Sequence, residues 1–162
     1  MTDARDRIIG TRLEFHEALR EAFAEAARVG CRELWLSDED FADWPLGERG
    51  VVELLTQWAQ PHRRLFVVAR HYDEVVRHHA RWVQWRMQWS HVVECRALEE
   101  AQAGEIPCML LATDLVCVRL LDTVHHRGRV SHDREDSIRS LELIDAVLQR
   151  SVLAFPSTTL GL

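Results

Sequence analysis

The chain has 162 residues, 47% of them hydrophobic, which predicts one domain that buries roughly 70% of its unfolded surface without disulfide support. Its net charge of −6 argues against nucleic acid as a partner, because a general binder needs a basic face to release counterions from phosphates. The longest apolar region, residues 106–121, is broken by Asp114 and Arg119 and falls short of the roughly 18 apolar residues of a membrane span, and no apolar leader follows the charged start, so a soluble cytoplasmic protein is expected.

In chain order, residues 1–12 read as an extension and residues 13–152 as a single domain, with residues 153–162 as a tail. Leu13, Phe15, His16, Leu19, Phe23, Ala26 and Ala27 recur mostly every three or four residues and predict a helix over 13–29, stopped by Gly30. A strand over 33–37 and an acidic loop over 38–50 follow, then a helix over 51–59 ended by Pro61. The continuous apolar run 65–69 has the pattern of a strand buried on both faces, which makes strand, helix and strand a crossover unit. One long helix is predicted over 73–89 and a third strand over 91–95. After a polar connection, residues 108–113 and 116–121 flank Asp114 as a hairpin. A polar loop over 125–136 and a last helix over 134–152 complete the domain.

The stretch from Pro107 to Asp114 is an apolar strand ending in an acid. With that order of elements it resembles one half of a phospholipase-D-like domain, whose signature is His-x-Lys-x-x-x-x-Asp. Aligned on Asp114, Pro107 stands at the position of the nucleophilic His and Met109 at that of the phosphate-binding Lys. The resemblance covers residues 32–151. It extends to an uncharacterised bacterial family of degenerate halves, found alone or behind a GNAT-type acetyltransferase domain, through His79, Arg86, Ser90, Arg96, Asp114, Arg150 and Ser151. It implies an α/β fold with one mixed sheet flanked by helices, pairing with a second copy, and an acetyltransferase or other protein as partner. Phosphoryl transfer in this family needs one imidazole as nucleophile and another to protonate the leaving group. Proline and methionine supply neither, and all 20 basic residues are arginine, so a non-catalytic binding or regulatory module is expected.

The alternative is a phosphate or nucleotide site. Ligands of open α/β sheets bind beyond the carboxyl ends of the strands, and there the sequence offers Ser37, Arg70, His71, Arg96 and Asp114. Trp82, Trp85 and Trp89 share one helical stripe, which fits either sheet packing or an exposed seam for a partner. His79 lies on the same apolar face, in the pattern of a core histidine. His125, His132 and Asp133 are considered as metal ligands, but no fixed-spacing motif supports them and neither metal nor cofactor is expected. Ser37 and Ser90 lack a G-x-S-x-G elbow. Cys31, Cys95, Cys108 and Cys117 show no C-x-x-C spacing and read as reduced thiols in or near the core.

Overall fold

The computed structural model describes residues 3–99 and 104–155. Thr11 caps the first helix, α1 (Arg12–Glu25), by accepting the Glu14 N–H at 3.1 Å, and Glu14 reaches back to the Gly10 N–H. A π-helical turn (Ala26–Gly30) closes it. The chain then alternates through β2 (Glu33–Ser37), α2 (Arg49–Trp58), β3 (Arg64–Ala69), α3 (Asp73–His78), α4 (Ala80–Gln88) and β4 (Val93–Ala97). The second half holds β5 (Cys108–Ala112), β6 (Val116–Asp122), β7 (Arg127–Ser131) and α5 (Arg134–Gln149). Two short strands complete the sheet at its edges, β1 (Arg7–Ile9) before α1 and β8 (Val152–Leu153) after α5.

The eight strands among the described residues form one mixed sheet in the order β1-β7-β6-β5-β2-β3-β4-β8. β2, β3 and β4 are parallel, and every other pairing is antiparallel. α1, α2, α3 and α4 cover one face, where Phe15, Leu19, Phe23, Leu55, Trp58, Val75 and Trp82 meet the inner residues of the strands. Among the described helices α5 alone lies on the other face, its Ile144, Val147 and Leu148 packing on Trp35, Val68, Met109, Leu111 and Cys117. The fold is thus a single α/β domain with one mixed sheet flanked by helices. Among the described residues no helix is long and apolar enough to cross a membrane.

Several expected boundaries change. Residues 7–9, assigned to an extension, form β1 against β7, and residue 153, assigned to the tail, pairs in β8 with Arg96. The polar loop over 125–136 contains β7, which has only Val130 and Ser131 buried and therefore lacks an apolar period. Gly128 on that strand is required by packing: a Cβ there would lie 1.9 Å from the Arg119 carbonyl oxygen.

The helix expected over 73–89 is broken at His79, whose φ of −124° and ψ of 47° leave the helical region. The cause is tertiary. The His79 ring reaches into the acidic loop, where Nδ1 accepts the Gly47 N–H at 3.1 Å and Nε2–H donates to the Phe41 carbonyl at 2.8 Å. Gly47 is pressed against the break, with room for no Cβ beside the His79 Cα at 2.8 Å. Burial lowers the His79 pKa below its ordinary value, which favours the neutral ring these two bonds require.

The tryptophan stripe is packed inside. Trp82 is 0% and Trp85 4% exposed, and Trp89 is half-buried, so an exposed seam carried by all three rings does not form. Phe155, beyond β8, stacks on Tyr72 at 5.0 Å and on Trp82 at 6.5 Å and covers them from outside. All four cysteines are free and buried.

Candidate functional site

The residues expected to line a cleft at the strand ends do not converge, because β5 runs antiparallel to β2. That direction carries the end of β5 back to the start of β2, where the Thr113 N–H donates to the Glu33 carbonyl at 3.2 Å. Asp114, in the turn after β5 with a φ of 64°, therefore lies at the opposite end of the strands from Ser37. Its cleft is lined instead by Gly30, Arg32, His62, Arg64 and Ser137.

The other expected ligands are held by the fold. Ser37 is fully buried and its hydroxyl donates to the Pro107 carbonyl at 2.6 Å. Arg70 binds the Glu39 carboxylate at 3.1 Å and the carbonyls of Glu99 and Gly104, joining two loops. Arg96 donates to the Ser151 hydroxyl at 2.8 Å, the Ser151 carbonyl at 2.9 Å and Glu94, fastening the end of α5 to β4. His71 is exposed in the loop after β3, its N–H donating to the Glu39 carbonyl at 3.3 Å.

A cleft of about 720 Å³ at this end of the strands is acidic. Asp38, Glu39, Asp40, Asp43, Glu105 and Asp122 line it together with Phe15, Trp44, Pro107 and Cys108, and among the described residues Arg119 is its one basic residue. Burial raises the Asp38 pKa even though its carboxylate accepts the Phe41 N–H at 2.8 Å. Burial also pushes the Cys108 thiol well up, and the neighbouring Asp38 carboxyl adds to the effect. Asp43 goes the other way: burial opposes its charge, but hydrogen bonds from His126 and from Arg12 at 2.5 Å outweigh that and hold it below the ordinary range. His16 Nε2 meets the Asp43 carbonyl at 2.7 Å from the far side.

A carboxylate–imidazole pair can hold and pass protons, and six carboxyls favour a cation over a phosphate. The cleft lacks an activated nucleophile, since its thiol is buried and held protonated. Sequence reasoning missed this site because Asp43 and His126 lie 83 residues apart and share no spacing motif. The residues considered for metal also separate. His125 pairs with Asp122 at 2.8 Å, Asp133 caps α5, and His132 joins Asp6 at 2.9 Å and Glu25 at 3.4 Å. Asp3 stands beside that last group with its carboxyl driven far below the usual range by hydrogen bonds from Arg5, which also pairs with Glu25 at 2.6 Å. The network has its own cation.

Of the two residues that the resemblance aligns with the His and Lys of the signature, Pro107 borders the acidic cleft and Met109 is fully buried beneath α5, in one cluster with Trp35, Val68, Ile106 and Leu111. Met109 pairs in register with Ser37 on one side and Arg119 on the other.

No protein-family model matches the chain, and no curated protein matches it. Solved structures do. TrmBL2, an archaeal chromatin protein described as showing a novel mode of DNA binding, matches with a TM-score of 0.65 at 13% identity, over 93% of this chain and 54% of its own. NucT from Helicobacter pylori matches with a TM-score of 0.58 at 6% identity, over 93% of this chain and 99% of its own. The chain thus spans about half of the TrmBL2 structure and nearly all of NucT, and what it shares with them is the fold. The expectation that nucleic acid is not a partner is overturned by the match to a DNA-binding chromatin protein. Its physical flaw is that net charge averages over the whole surface, whereas a binding face is local.

Proposed function

We propose that the chain is a non-catalytic phospholipase-D-like half that works as a binding or regulatory module. The observation that carries this reading is the pair of substitutions at the motif: proline stands in place of the nucleophile, and an uncharged, fully buried methionine in place of the phosphate-binding lysine. Phosphoryl transfer through a covalent intermediate needs a nucleophile within reach of the phosphorus, and neither of these side chains is one. The test is hydrolysis of bis-p-nitrophenyl phosphate and of single-stranded and duplex DNA by the purified chain. No turnover above buffer is expected; turnover lost on Asp114→Asn would overturn the reading.

The chromatin protein among the fold neighbours makes DNA the first ligand to try, by anisotropy of a labelled duplex over a salt series, since phosphate contacts weaken steeply as salt rises. A second reading, in which the bound ligand carries phosphate whatever its source, is favoured by the surroundings of Arg119.

A further inference from the structure

Register places Ser37, Met109, Arg119 and Arg129 side by side on β2, β5, β6 and β7. Directly paired residues project on the same face of a sheet, here the face covered by α5. Where α5 passes over β6 and β7, a small pocket of about 120 Å³ opens, lined by Cys117, Arg119, Arg129, Ser131, Asp136, Arg139 and Ser140. Arg119 Nε is buried there and meets no hydrogen-bond acceptor, and no ion pair forms to Arg119 among the described residues. Buried donors without acceptors are rare in folded proteins, and a guanidinium is among the costliest to leave so.

The rest of the pocket has the chemistry to share an anion with Arg119. Arg139 binds Asp136 at 2.6 Å and Arg129 reaches the same carboxylate oxygen at 3.4 Å, so one negative charge faces three positive ones. Ser131 donates to the other Asp136 oxygen at 2.8 Å, and the Cys117 thiol donates to the Ser140 hydroxyl at 3.4 Å. Both serines are buried, which gives the pocket hydroxyls as well as guanidinium forks. Planar forks are suited to tetrahedral oxyanions, where they bind two oxygens at once.

We propose that Arg119, Arg129 and Arg139, with the hydroxyls of Ser131 and Ser140, bind a single phosphate group. The pocket lies next to Met109 in the sheet and shares only Arg119 with the acidic cleft, whose carboxyls would repel the same group. Its volume admits one phosphate and excludes a base or sugar, so any larger ligand projects outward past the exposed Arg129 and Arg139. This names the ligand chemistry of the binding module inferred above and rests on that reading.

The test uses the full chain and inorganic phosphate as probe. Calorimetry at constant ionic strength should give phosphate binding in the wild type that weakens at least tenfold in Arg119→Met, which keeps an apolar stem beside Met109 and removes the charge. Arg129→Gln, at a half-exposed position that carries little of the core, should weaken it several-fold and keeps the test usable if the first variant does not fold. A wild type that binds phosphate no better than chloride, or both variants binding like the wild type, overturns the pocket. Competition by a short DNA strand assigns the phosphate to a nucleic-acid backbone, and competition by adenosine 5′-monophosphate alone assigns it to a small ligand; either supports the site. Hydrolysis of phosphodiesters would overturn the non-catalytic reading without touching this result, and loss of the Arg119 effect would overturn the pocket without restoring a nucleophile.

Discussion

Restoring a lysine at the motif position, Met109→Lys, separates a covered sheet face from a masked active site. Met109 is fully buried in the apolar cluster that also holds Trp35, Val68, Leu98, Ile106, Leu111, Ile144, Val147 and Leu148, and its partners in the sheet, Ser37 and Arg119, offer no negative charge. A lysine there is driven to give up its proton, as burial penalises the charged form. With an unfolded pKa near 10.4, losing that proton at pH 7 costs about 1.4 kcal/mol for each of roughly 3.4 pH units, or about 4 to 5 kcal/mol. That is a large share of the 5 to 15 kcal/mol that typically holds a domain together. The folded state then binds fewer protons than the unfolded one, so stability relative to wild type rises with pH, by about 2.7 kcal/mol between pH 7 and pH 9. Urea melts read this directly. For an m value of about 2 kcal/mol/M the variant midpoint falls by about 2 M at pH 7, and more than half of that loss is regained at pH 9. Met109→Leu, which keeps the volume, should cost less than about 1.5 kcal/mol at either pH. A Met109→Lys midpoint equal to wild type and flat with pH would refute the covered face, and with it the argument that the position is closed to catalysis.

Three further outcomes follow from the packing. Trp82→Ala removes a fully buried ring that touches Trp85 and Phe155, and should cost about 3 to 5 kcal/mol in a urea melt; a loss below about 1 kcal/mol would return the ring to the surface. His79 has a folded pKa depressed by burial, so its contribution is present above the unfolded value of 6.5 and is lost as pH falls from there through the folded value. Melts between pH 7 and pH 5 should show this decline in wild type and a shallower one in His79→Gln, and identical slopes would refute the neutral-ring assignment. The four thiols are buried, and burial pushes Cys31 up to about 11. Ellman's reagent should therefore react with none of them in the native chain and with all four in denaturant, while rapid labelling of a native thiol would contradict the core.

The sequence by itself determined the elements whose burial repeats along one segment. The apolar runs behind β2, β3, β5 and β6 and the stripes behind α1, α2 and α5 were legible because each residue's exposure follows the period of its own element. It also showed that residues 107 and 109 are proline and methionine, which carry neither nucleophile nor charge in any fold. Tertiary structure decided what depends on two segments at once. β1, β7 and β8 exist by pairing with neighbours, with little apolar pattern of their own. The break at His79 is imposed by a loop more than 30 residues earlier. The direction of β5 sent Asp114 away from Ser37, and the same register aligned Arg119 with Arg129 beneath Arg139. Local periodicity records which side of a segment is buried; strand direction and the meeting of side chains remote in sequence are set by long-range pairing, which leaves no period to read.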